Sequence, residues 1–163
     1  MADPPRRDPL NPVDAEARAL ARRLIDSAQH AALGVLDPAD GAPSVSRIAV
    51  ATAPDGSPLT LISTLSAHTR ALMADPRCSL LLGEPGAKGD PLTYPRLTLR
   101  ATAVFAEGEE GEALRAAFLA ARPKAALYAG FADFRVVRFA PTGALLNGGF
   151  GRAYALTAAD LLP

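Results

Sequence analysis

The run Ser63, Thr64, Leu65, Ser66, Ala67, His68, Thr69, Arg70 gathers hydroxyls, an imidazole and a guanidinium within a few positions. It stands where a strand-like stretch gives way to helical spacing, so the free N–H groups and the positive end of a helix would lie beside it. Such a set holds a phosphate monoester. The same residues also make an ordinary helix cap followed by a surface arginine, and the segment alone carries both readings. Arg47 lies in a run of otherwise small or apolar residues, and Arg96 stands at the entry of another; each faces either solvent or a ligand. Around Phe150, the glycines Gly148, Gly149 and Gly151 with Arg152 allow two arrangements. One is close approach to a planar ligand or a second chain, the other a turn around a core phenylalanine.

Other chemistries lack their residues. The sequence contains no GxGxxG turn, P-loop, HExxH or GxSxG, so Rossmann or Walker nucleotide binding, zinc hydrolysis and serine hydrolysis are unsupported. His30 reads as the C-terminal cap of a preceding helix. Cys78 is the single cysteine, which leaves no disulfide framework and no CxxC metal site; beside a leucine run it reads as a buried structural thiol. No metal is expected.

The elements that must position these residues are those of one domain. A chain of 163 residues with 49% hydrophobic and 21% charged residues builds a sizeable core, and 17 basic against 17 acidic residues argue against nucleic-acid or membrane-surface partners. Residues 1–12, rich in Pro, Asp and Arg, are expected to form a flexible arm ahead of a single domain over 13–163. They lack the apolar core of a signal peptide, and no run is long enough to span a bilayer, so a cytoplasmic location is expected. Apolar residues recur at three and four residue steps from Asp14, the expected N-cap, predicting a helix to about Gln29. Strands are predicted over 31–36 and 43–53 as a hairpin, with a third over 59–63 continuing the meander. A helix over 66–74 ends at Asp75-Pro76, and 77–83 reads as a buried strand. Residues 83–95, dense in Gly and Pro, form an irregular loop. Alternation predicts a strand over 96–107, then helices over 109–121 and 123–129, strands over 134–140 and 143–147, and a short terminal helix capped by Thr157. Six to seven strands joined mainly by hairpins, with helices between them, predict a mostly β (α+β) antiparallel barrel with peripheral helices.

In order and spacing, several segments resemble the pyridoxamine 5′-phosphate oxidase-related FMN-binding family, closest to its branch that looks like the haem-utilisation split barrels. They are Ser46 to Ala49, Leu61 to Arg70, Ala74 to Glu84, Pro95 to Leu99, Pro123 to Phe131 and Gly148 to Arg152. The resemblance implies a split β-barrel homodimer with FMN held between subunits. It implies that Arg47 and the backbone of Ile48 and Ala49 meet the flavin ring and phosphate side, and that Ser63 and Thr64 meet the ring or ribityl chain. His68, Thr69 and Arg70 would reach the phosphate, and Arg96, Phe150 and Arg152 would come from the other subunit. The implied activity is a flavin-dependent oxidoreductase with a small-molecule substrate or electron donor; the alternative is a non-catalytic flavin, deazaflavin or haem carrier. Two departures bear on the reaction. His68-Thr69 stands where the family's B6 oxidases carry an Arg-Lys pair, and their Arg-x-His substrate motif is missing. Haem-degrading relatives use a histidine toward the C-terminus, yet none follows His68.

Overall fold

A computed structural model describes residues 9–163, so most of the expected arm lies outside the described residues. Within what is described of it, Asn11 is tied down, its backbone N–H donating to Ala153 O at 2.7 Å and its side chain to Gly151 O at 2.8 Å. The first helix, α1 (Ala15–Ser27), begins at Asp14, whose carboxylate accepts the Ala17 N–H at 2.7 Å, and buries Ala17, Ala21 and Ile25. The strands are β1 (His30–Leu36), β2 (Pro43–Ala49), β3 (Ala51–Thr52), β4 (Pro58–Ser63), β5 (Arg77–Leu82), β6 (Arg96–Ala106), β7 (Phe134–Asn147) and β8 (Ala153–Thr157). The remaining helices are α2 (Ala67–Ala74), α3 (Gly108–Ala121) and α4 (Ala158–Leu161). The helix predicted over 123–129 is a 3-10 turn over Pro123–Leu127.

All strand pairs are antiparallel, in the order β2-β1-β5-β6-β7-β4-β3, with β8 added to β7. The two ends of that order, β2 and β3, are consecutive in the chain, separated by Val50 alone. The sheet must therefore curl round until its edges meet, which makes the open barrel that the periodicity predicts; Thr60 Oγ1 donates to Ala49 O at 2.6 Å across the seam. The topology keeps only part of the expected meander: of the predicted 43–53 strand, Ala51–Thr52 pairs with β4, while β2 does not and the other side of β4 pairs with β7. The bend at Val50 carries the chain from one sheet edge to the other, a long-range event with no local sequence signal. Two predicted strands merge in β7, where the register jumps between Arg100 and Ala101, skipping Thr142. That bulge seats Pro141, which lacks the N–H a regular ladder needs.

Side chains divide between two cores. Inside the barrel, Leu33, Leu80, Leu97, Leu99, Val137 and Phe139 pack with Ile25 of α1 and Leu72 of α2. Outside it, Leu59, Leu61 and Val136 pack under Leu114 and Phe118 of α3. β4 is consequently covered on both faces, which accounts for its unbroken burial. Cys78 is buried as expected; burial pushes its thiol up to about 12, so it stays protonated and inert.

Candidate functional site

β4 delivers the chain to α2 through a tight turn. Ser66 N–H donates to Ser63 O at 3.0 Å and Leu65 N–H to Ser63 Oγ at 3.1 Å, while Thr64 N–H donates to Asp133 O at 2.8 Å. Ser63 Oγ itself donates to the Asp133 carboxylate. Ser66 takes the N-cap position in extended geometry, yet its hydroxyl caps nothing. The N–H groups of Ala67, His68 and Thr69 thus begin a helix with no side chain answering them. Proline at position 76 and the preceding extended Asp75 end it.

Two side chains of this turn are left incomplete. Thr69 is wholly buried and its Oγ1 has no hydrogen-bond partner. His68 lies 3.0 Å through Nδ1 from Ser46 Oγ of β2, while its buried Nε2 has none. Burial holds the His68 imidazole below its usual range, which favours the neutral ring. Arg70 folds back over the turn, its guanidinium donating to Leu65 O at 2.6 Å beside the helix start. Hydroxyl, imidazole, guanidinium and helix N–H groups are therefore all carried by the first turn of α2, residue types suited to an anion with several acceptor oxygens.

The remaining site residues fall in two other places. Arg47 alternates with Ser46 on β2, so it points to the open outer face of the sheet; it is exposed and makes no hydrogen bond or ion pair among the described residues. Ile48 is buried in the barrel, and the carbonyl of Ala49 is held by Thr60. Arg96 begins β6 and closes the loop before it, donating to Leu92 O at 2.9 Å. Phe150 is fully exposed, which removes the reading of it as a core residue, and Arg152 pairs with Glu16 at 2.8 Å. Arg96, Phe150 and Arg152 lie at β6 and the β7–β8 turn, elements that do not join the Ser63 to Arg70 turn within one chain.

Sequence reasoning missed the support residues. Ser46 and Asp133 complete the turn from 22 and 70 residues away, and only the sheet topology brings them there. His30 is not a helix cap. Ala28 ends α1, and His30 opens β1 with Nδ1 3.4 Å from Glu84 Oε1. Among the described residues no His, Cys, Asp and Glu cluster could hold a metal, and no helix is long and apolar enough to cross a membrane.

Comparison with known proteins matches this architecture to relatives. The chloroplastic non-canonical heme oxygenase HOZ of Arabidopsis thaliana is 39% identical over 104 residues, 63% of this chain and 30% of that protein, so the chain spans under a third of it. The structure of a heme binding protein from Mycobacterium smegmatis superposes with a TM-score of 0.83 at 32% identity, over 92% of this chain and 61% of that one. A protein of unknown function from Agrobacterium tumefaciens superposes with a TM-score of 0.83 at 34% identity, over 99% of this chain and 66% of that one. The pyridoxamine 5′-phosphate oxidase family profile matches residues 17–147, from inside α1 to the end of β7 and so across the whole α2 turn. With most of its length inside that match, the chain belongs to the pyridoxamine 5′-phosphate oxidase family.

Proposed function

We propose that this protein binds FMN between two copies of the chain and acts as a flavin-dependent oxidoreductase on a small molecule in the cytoplasm. One observation carries the reading: the buried, unpartnered Thr69 Oγ1 at the start of α2, with Nε2 of the preceding residue, His68, in the same condition. Leaving a buried hydroxyl unpaired costs about 1–3 kcal/mol, and a phosphate oxygen answers it. Family membership and the resemblance of the whole 63–70 run support FMN as the molecule that brings that phosphate. Thr69, His68, Arg70 and the first N–H groups of α2 would hold the phosphate, with Ser63 and Thr64 next along the cofactor. Arg47, Ile48 and Ala49 would meet the ring side, and Arg96, Phe150 and Arg152 of the second copy would complete the site. Bound flavin supplies hydride and electron transfer; the protein binds it, orients it and sets its electrostatics. The test is the absorbance spectrum of the natively purified protein with added FMN, then NADH and NADPH as reductants. A flavin band with thermal stabilisation is expected; absence of both overturns the proposal.

Haem is the second reading, favoured by the heme oxygenase and heme binding names of the relatives. His30 and His68 are the only histidines in the chain, so a haem Soret shift that survives replacement of both excludes histidine ligation.

A further inference from the structure

Where Arg96 enters the sheet, a second cleft lies outside the α2 turn. Leu20, Leu24, Ala28 and Pro95 wall a volume of about 480 Å³, enough for a small organic molecule. Gly83 keeps it open. Its φ is +99°, and a Cβ there would lie 2.5 Å from Pro95 O and 3.3 Å from Leu24 Cδ2. Five polar side chains also line it, Arg23, Ser27, Gln29, His30 and Glu84. The Glu84 carboxylate engages His30 Nδ1 at 3.4 Å, which leaves Nε2 for another partner.

Arg23 differs from its neighbours on α1. Arg18 pairs with Asp160 at 2.7 Å and Arg22 with Asp26 at 2.8 Å, whereas Arg23 has neither a carboxylate nor a carbonyl partner among the described residues. A guanidinium without a counter-ion, lining a cleft that also presents Leu20, Leu24 and Pro95, is complementary to a molecule with an anionic head and an apolar body, with the Glu84 carboxylate already engaged by His30. We propose that this cleft binds a small organic acid, its carboxylate on Arg23 and its hydrocarbon body against Leu20, Leu24 and Pro95, with His30 Nε2 as a second polar contact. The proposal goes beyond the flavin reading and does not depend on it.

Amide NMR titration of the full chain with phenylbutyrate tests it, with phenylbutanol as the neutral counterpart and inorganic phosphate as the bare anion. Saturable shifts at Arg23, Leu24, Gly83 and Glu84 are expected with phenylbutyrate alone, and Arg23→Gln should weaken binding about tenfold, the loss of one charge-assisted contact. Arg23 is exposed, so the variant folds. Unchanged affinity in Arg23→Gln, equal binding of the alcohol, or shifts centred on the Ser63 to Arg70 turn would each overturn the proposal. Thr69→Val, which strikes only the flavin reading, should leave phenylbutyrate binding unchanged.

Discussion

At the scale of single residues, the α2 turn holds two groups whose satisfaction in the isolated chain is incomplete, and each makes a prediction with a sign. Thr69→Val keeps the shape of the side chain and removes the buried, unpartnered hydroxyl. The FMN-free protein should therefore gain about 1 kcal/mol in denaturant unfolding, while its FMN dissociation constant rises about tenfold. A gain in stability with no loss of FMN affinity would detach Thr69 from the cofactor. His68 acts through pH. Burial holds its folded pKa below the ordinary 6.5, so on acidification the unfolded chain takes up the proton first. Stability from this group is complete above the unfolded value and is lost as the pH falls through it toward the folded one. Thermal midpoints measured from about pH 7.5 to about pH 5.5 should fall in the wild type, with a flatter profile in His68→Gln. If the proposed FMN phosphate binds at His68, its negative charge would favour the imidazolium, and the FMN-loaded protein should lose less on acidification.

At the scale of elements, what could be read from the sequence is what neighbours along the chain decide. Asp14 caps α1, Asp75-Pro76 stops α2, Thr157 forms a capping box with Asp160, and the β1–β2 hairpin turns at Asp40-Gly41; each is a local exchange of hydrogen bonds or a local steric limit. The strand β8 was not legible. Its five residues, Ala153 to Thr157, follow a glycine cluster with only Tyr154 and Leu156 as apolar anchors, and their pairing partner lies on β7. The crossing from β2 to β3 and the pairing of β4 with β7 were hidden for the same reason, because pairing between distant strands leaves no mark in either. The candidate site divides likewise: the 63–70 run is local and was readable, but Ser46 and Asp133 arrive by topology. Gly83, between β5 and the loop leading to β6, shows how tightly two elements can depend on one backbone position. Gly83→Ala would place a methyl 2.5 Å from Pro95 O at a positive φ, and should cost about 1–3 kcal/mol in chemical unfolding. A neutral result would mean that the entry to β6 is free to shift.

At the scale of the whole molecule, the sheet has one face buried in the barrel and part of the other left open. β4 and the start of β7 are roofed by α3, but the register places Arg47, Ala32, Leu81, Thr98, Leu145 and Ala155 in one row across β2, β1, β5, β6, β7 and β8 on the outer side. Val45, Leu81 and Leu145 on this face are 71%, 45% and 50% exposed, apolar residues that a lone soluble barrel has little reason to present together. Between them Ala32, Gly34 and Ser79 are small, so a second sheet can approach closely. The same face carries Arg47 and Arg96, the residues that the proposed FMN site draws from different copies. If two chains meet here, closing the interface and completing the site are one event, and disrupting the face must remove both. The double variant Leu81→Asp and Leu145→Asp tests this, since both side chains are outside the core and the fold has no need of them. Light scattering should give twice the 16.9 kDa chain mass for the wild type and the single mass for the variant, with an unchanged circular dichroism spectrum and loss of retained FMN. A variant that remains dimeric puts the interface elsewhere, and a monomeric variant that still holds FMN would show that one chain suffices for the cofactor.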